Sequence, residues 1–412
     1  MYSLCVKENS EIEIPEDLAS GIKKMLHDDP SLPIKLAGNV LSFAEYTIGS
    51  IQVGEYNIEI QPRNPVFTLE VVFEMLLYES LNNFDENYLS SGFGDNQSFG
   101  ISSITSQFYY ECVKLLDFGL TGGFVSEEKT GKEINGRIVM EKYHPMYIPL
   151  RGVTFINDNY SQDVIANQII KSAILKVLRM EPRKNIRKDY QLLLKNFAHI
   201  REFTGTMAML DDVTNTFFSA NPHYPLTLEF AIKILRDMKM KFTHGNVSWN
   251  AFLHNSNDIF EKYVRKVVSK GIDAYVSKWD APKKIAELDD GIRKGEKSYI
   301  PDILIDYDPL TASAKAVLDA KNKVFETKND NIGEILHSAD MYQLAFYCDK
   351  LKTNLGGLIY PAGSDYRPIK VMIDGSTDFR FILFSINMRE KISIRHRRLC
   401  DAIHDELLFY VK

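Results

Sequence analysis

The sequence predicts an α+β protein: a β-rich N-terminal domain over residues 1–160, then a helical segment and a mixed α/β region over residues 161–412. Three observations carry this. The chain has 412 residues, 45% of them hydrophobic, which is too long for one small core and apolar enough for two or three. Strand-like alternation dominates before residue 160, with helical spacing after it. The last third orders as helix–strand–strand–helix–strand.

In chain order, IGSIQVGEYNIEIQPR sets Ile51 and Val53, then Ile58 and Ile60, on either side of Gly54-Glu55, a hairpin pattern. Leu69–Leu81 and Ile104–Leu116 have helical spacing. Residues Gly119–Ile138 are rich in Gly, Thr and charge, which predicts an extended hairpin or projecting loop that builds little core. NDNYSQD (157–163) then precedes three helical stretches and places the domain boundary near residue 160. The stretches are Asp163–Leu178, Tyr190–Phe203 and, after Pro225, Leu226–Met240. Asn257–Lys270 is an amphipathic helix. Two strands within Tyr299–Phe325, a helix over Ile332–Lys352, and the strand-like GGLIYP and FRFILFSI complete the order.

Composition excludes several function classes. The net charge of −6 rules out a polycation that coats nucleic acid, so any DNA affinity must be local or come from a partner. Cys5, Cys112, Cys348 and Cys400 form no CxxC pair, which argues against structural zinc or a disulfide framework and fits a cytoplasmic protein. The N-terminus turns acidic before any apolar run, unlike a secretory signal. FTLEVVFEMLLY (67–78) is broken by Glu70 and Glu74 and is too short to span a bilayer.

The segment YIPDILIDYDPLTASAKAVLDAKNKVF (299–325) carries the chemistry. Asp302, Leu304 and Asp306 share one strand face; on the next strand Val317, Asp319 and Lys321 share one, and Ala320 points away. Asp308-Pro309 and the small residues after it are turn chemistry. A turn centred near Thr311 brings Asp302 opposite Asp319 and Lys321, with cross-strand Cβ atoms roughly 5 Å apart. Two carboxylates ~4 Å apart repel by about 4 kcal/mol at an effective dielectric near 20. A shared proton or Lys321 offsets that, but a divalent cation suits two hard oxygen ligands better. Such an ion polarises a phosphodiester and activates water, and a lysine on the same face can orient that water.

Pro301-Asp302 followed by Asp319-Ala320-Lys321 resembles the PD-(D/E)xK nuclease motif. That resemblance implies Mg²⁺, or Mn²⁺ in its place, held by Asp302, Asp319 and the Ala320 backbone carbonyl, with Lys321 assisting the attacking water. Glu261, in IFEKYV, matches the acid often found on the preceding helix and is the fourth expected ligand. Gln343 and Tyr347 stand at i and i+4 in HSADMYQLAFYCDK. This Q-x-x-x-Y resembles the additional motif of RecB-like nucleases, which supports the lysine and the DNA backbone.

With NDIFEKYV, GLIYP, GSIQVGEYNIEIQPRNP, FEMLLYES, FGLTGGFVSEEKTGKEINGRIV and NQIIKSAILKVL, these segments resemble the McrC family, the nuclease subunit of McrBC-type restriction systems. Pro62-Arg63 departs from it, since lysine is more usual after the proline. The resemblance implies a magnesium-dependent endonuclease for double-stranded, modified DNA, docked by its N-terminal region on a hexameric McrB-like AAA+ GTPase that it stimulates. Gly119–Ile138 is then the candidate projection toward the motor. This chain alone is expected to bind no nucleotide: GIRKGEKS (291–298) has Glu296 where a P-loop needs its second glycine.

Two alternatives stay open. One is a regulatory subunit that activates the motor without cutting. The other is a stand-alone RecB-like DNA-processing nuclease, whose relatives often hold an iron–sulfur cluster through clustered cysteines that this chain lacks. The basic tracts RMEPRKNIRK (179–188) and REKISIRHRR (389–398) are equally readable as phosphate contacts or solvated helix faces, or, for the first, as a contact with an acidic motor subunit.

Overall fold

The computed structural model describes residues 2–80, 101–142, 152–180, 184–206, 209–210, 213, 221–237, 239–243, 246–289, 294–325, 335–372 and 379–408. The chain forms two compact units: Met1–Ser50, Tyr56–Glu79 and Leu253–Lys412 make one, Ile51–Glu55 and Ser80–Phe252 the other. The expected boundary near residue 160 therefore divides nothing. NDNYSQD runs along the end of strand Val153–Ser161, which pairs with Gly123–Gly131 inside the second unit. Its polar composition marks an exposed strand end and not a linker. The mixture of helices and sheets is the α+β class that the sequence predicts.

Thr47–Val53 and Tyr56–Gln61 flank the expected turn, where Gly54 takes a positive φ of 56°. Tyr2–Lys7 pairs in parallel with Tyr56–Gln61. The helix Glu16–Asp28 buries Leu18, Ile22 and Met25, one stripe at helical spacing.

The site lies in a six-stranded sheet of order Val276–Ser277, Ile303–Ile305, Ala316–Ala320, Leu355–Ala362, Arg380–Asn387, Ile369–Val371. Ala316–Ala320, Leu355–Ala362 and Arg380–Asn387 are mutually parallel, while Ile303–Ile305 joins antiparallel. Leu355–Ala362 is buried at every position, hence its unbroken apolar run. A parallel pair needs a crossover, and helix Ser338–Lys350 provides it, packing Leu344, Tyr347 and Cys348 with Leu304, Val317 and Leu358. The expected start of this helix at Ile332 lies outside the described residues, as does Leu81.

Helix Ser256–Gly271 starts where the Asn255 side chain accepts hydrogen bonds from the N–H groups of Asn257 (2.9 Å) and Asp258 (3.1 Å). It buries Ile259, Phe260, Tyr263, Val264, Val267 and Val268. Helix Ile392–Ile403 carries Arg395, only 2% exposed and ion-paired with Glu74 of helix Leu69–Ser80. Arg395 Nε also donates to the Tyr263 hydroxyl at 2.8 Å and Nη1 to the Met388 carbonyl at 3.1 Å. Burial lowers the Arg395 pKa to about 9. The tract 389–398 is thus not one solvated face, because Arg395 points into the core. Among the described residues no helix is long and apolar enough to cross a membrane.

The second unit contains helices Ile101–Phe118, Ile165–Met180, Lys184–Lys195 and Tyr224–Asp237. Asn167, fully buried, donates to the carbonyls of Thr121 (3.0 Å) and Gln162 (2.7 Å) and accepts from the Tyr224 hydroxyl (2.6 Å). The helix expected over Tyr190–Phe203 starts earlier and ends at Lys195. Phe197 and Ile200 are buried from the turns that follow it and so mimic helical spacing. The helix expected to reach Met240 ends at Asp237, Met238 lies outside the described residues, and Lys239–Thr243 is a strand paired with Asn246–Asn255.

Gly119–Ile138 is extended, as expected. Gly123–Gly131 and Arg137–Ile138 flank Val153–Ser161 in a three-stranded sheet, with Phe124 78% exposed. Gly136 is obligatory there: its φ is +141°, and a Cβ would stand 2.0 Å from the Ile156 carbonyl oxygen.

Candidate active site

Ile303 pairs with Leu318, Leu304 with Val317 and Ile305 with Ala316, so the next rung sets Asp302 opposite Asp319. The loop that fixes this register is built on Asp308. Its carboxylate accepts the Leu310 N–H at 2.9 Å and the Thr311 hydroxyl at 2.7 Å, and Asp308 and Ser313 bridge its ends. Those two hydrogen bonds hold the Asp308 carboxyl below its usual range. Asp306, expected on the same face as Asp302, turns out of the strand at φ 49° and accepts the Tyr275 N–H at 2.9 Å.

Asp319 is 2% exposed and Asp302 half-buried, with the Ala320 N–H donating to Asp302 Oδ2 at 3.0 Å. Burial, then the Asp319 and Glu261 charges, push the Asp302 carboxyl up to about 8. Asp319 is raised by burial too, against the pull of Lys321. Its Oδ2 sits against the Lys321 ammonium yet has no hydrogen-bond partner of ordinary geometry. Two buried acids that cannot both ionise comfortably are the donor set expected of a divalent-cation site.

Burial alone would depress Lys321, but Asp319, Asp340 and Asp302 together raise it. It is an ammonium, fit for electrostatic work and not for taking a proton. Its Nζ donates to Gln343 Oε1 at 2.7 Å, and Gln343 Nε2 donates to the Tyr347 hydroxyl at 2.6 Å. Tyr347 is 4% exposed, stacked on Tyr299, and raised to about 12 by burial and then Asp319. The i, i+4 pair thus reaches the lysine as one relay.

Glu261 is the exception. It is near enough to raise Asp302, yet its Oε1 accepts Arg265 Nη1 at 2.8 Å and pairs with Lys278. Among the described residues no three His, Cys, Asp or Glu side chains converge as a metal site. The two carboxylates and the neighbouring backbone fit Mg²⁺, which is commonly held by one or two carboxylates with water and phosphate completing its shell.

Sequence reasoning missed Asp340, Lys278 and Arg265. Asp340 is 6% exposed, takes Lys323 Nζ at 2.6 Å and lies 3.9 Å from Lys321 Nζ. Its position three residues before Gln343 was a readable signal, since i and i+3 share a helical face. Lys294–Tyr299, the latter part of the rejected P-loop look-alike, is a strand, while Gly291–Arg293 lie outside the described residues.

The family model described as "McrBC 5-methylcytosine restriction system component" matches residues 43–361. No curated protein matches the chain. Among solved structures, similarity is found to a chain of the refined half-complex from the tetradecameric assembly of Thermococcus gammatolerans McrB AAA+ hexamers with bound McrC. The TM-score is 0.62 at 15% identity, covering 97% of this chain and 100% of that one. A chain of the Thermococcus gammatolerans McrBC complex aligns over 66% of this chain and 89% of its own length, at 16% identity and a TM-score of 0.46. At 15% identity the first likeness is one of fold.

Proposed function

The chain belongs to the McrBC family of 5-methylcytosine restriction system components, and from that premise we propose that it is the McrC-type subunit that cuts DNA. The observation that carries this is the juxtaposition of Asp302, Asp319 and Lys321, with Gln343 and Tyr347 behind the lysine. When bound, Mg²⁺ would be held by Asp302, Asp319 and the Ala320 carbonyl, where it would polarise the scissile phosphodiester and activate a water.

The protein's own groups divide the rest of the work. Asp302, anchored by the Ala320 N–H, presents its other oxygen to the site. Lys321 remains charged and stabilises the negative charge that builds on the phosphate. Gln343, fixed by Tyr347, keeps the ammonium from collapsing entirely onto Asp319.

The partner is proposed from the fold neighbour, in which McrC is bound to McrB AAA+ hexamers. This chain would dock on an equivalent motor, with the exposed three-stranded sheet at 123–161 as the stimulating element. Asp319→Asn in the assembled complex tests the reading. Cleavage of modified duplex should fall by at least about 100-fold, the scale for losing a key electrostatic group, while GTP hydrolysis and assembly are kept. Cutting at the normal rate would refute the site.

A further inference from the structure

Helix Ser256–Gly271 has a second stripe that folding does not require. Lys262, Arg265, Lys266 and Lys270 follow one another at i, i+3, i+4 and i+8, beside the apolar stripe that packs inward. Like charges four apart weaken a helix. Together with Ser277 of strand Val276–Ser277 and Lys278 just after it, they line a cavity of about 380 Å³. Among the described residues, Glu79 is the one carboxylate-bearing wall residue. Five cations thus converge on one concavity of a chain whose net charge is −6.

Four of the five are held in place. Lys266 Nζ donates to the Glu79 carbonyl at 2.8 Å, and Lys270 Nζ sits 5.5 Å from the centre of the Tyr78 ring. Arg265 Nη1 spans the cavity and the catalytic strand, donating to Glu261 Oε1 at 2.8 Å and to the Asp302 carbonyl at 3.2 Å. Lys278 pairs with the same Glu261 oxygen. An anion in the cavity would therefore be one side chain away from Asp302 and would share two cations with Glu261.

We propose that this cavity is a phosphate subsite that grips the DNA backbone beside the scissile bond. It rests on the nuclease reading of the Asp302–Asp319 site for its purpose, but not for its chemistry. Ammonium and guanidinium groups around a concavity recognise phosphate whatever the base sequence, so the subsite contributes affinity and strand placement and no base discrimination.

The test uses the full chain in EDTA, so that no cleavage occurs, with a fluorescent unmodified duplex and anisotropy across a salt series. Lys266→Ala/Lys270→Ala is compared with wild type and with Lys23→Ala/Lys24→Ala, which removes the same charge from the exposed face of helix Glu16–Asp28. Each duplex phosphate contact contributes roughly 0.9 to the slope of log K against log salt. The cavity variant should lose about 2 from that slope and bind about tenfold or more weakly at low salt, while the control matches wild type. Equal slopes for the two variants, or a wild type that fails to bind duplex in EDTA, would overturn the subsite. So would displacement of the duplex by micromolar pyrophosphate or GTP, which would assign the cavity to a soluble polyphosphate. A wild type that grips duplex in EDTA, yet never cuts it when assembled with its motor and given Mg²⁺, would sink the nuclease reading alone.

Discussion

Replacing Asp302 with asparagine should make the metal-free protein more stable at alkaline pH while removing its activity. The Asp302 carboxyl titrates near 8 in the folded chain against 3.8 in the reference state, because it is buried beside Asp319 and Glu261. Between those values the native state keeps a proton that the unfolded chain has released. Wild-type stability therefore falls as pH rises from 3.8 to about 8, and levels off above it. One such proton is worth about 1.4 kcal/mol per pH unit. Taken over the whole window this would approach ~6 kcal/mol, but Asp302 is only half-buried and its neighbours relax. A gain of about 2 kcal/mol for the variant at pH 9 is the realistic scale, comparable to two carboxylates about 8 Å apart at an effective dielectric near 20.

Asparagine keeps the acceptor that the Ala320 N–H requires, so the backbone contact survives. Urea unfolding in EDTA at pH 5 and pH 9 reads the effect: the variant should gain little at pH 5 and most of its advantage at pH 9. Adding Mg²⁺ should stabilise wild type at pH 9 by mass action and leave the variant unmoved. A variant that is no more stable at pH 9, or whose advantage is the same at both pH values, would refute the account of the two buried acids.

Arg395→Met should cost about 3–5 kcal/mol, since it leaves Glu74 without its buried cation, and Arg395→Met/Glu74→Leu should recover most of that loss; chemical denaturation of the three variants closes the cycle. Gly136→Ala should cost about 1–3 kcal/mol locally, because its Cβ meets the Ile156 carbonyl at φ +141°. Amide exchange at Val139, which donates to the Thr154 carbonyl at 3.0 Å, should accelerate, and motor stimulation should drop while duplex binding in EDTA is unchanged.

The Asp302–Asp319 hairpin was legible because strand period and turn chemistry together leave one register. With Asp308 and Thr311 closing the loop, Asp302 has no other rung than that of Asp319. Helical spacing made it legible that Gln343 and Tyr347 share a face, while their tie to the lysine was expected only from the motif resemblance. The partners of Glu261 were not, because Lys278 reaches it from just beyond strand Val276–Ser277, which no local pattern connects to the helix. Charge content also misled at 389–398, where composition cannot say which arginine of a helix faces the core. The boundary near 160 failed for a related reason, as a polar strand end and a linker look alike in one dimension.

The Glu74–Arg395 clasp ties together residues 321 positions apart, since 395 − 74 = 321. During translation the first 79 residues must wait, unfinished, while the intervening unit is made and can collapse on its own. Until residue 395 leaves the ribosome, the Glu74 carboxylate lacks its counter-ion and the helix bearing it has no permanent berth. An incomplete chain would also lack strand Arg380–Asn387, which pairs along the whole of Leu355–Ala362. The order of synthesis thus decides when the two ends of the first unit can meet.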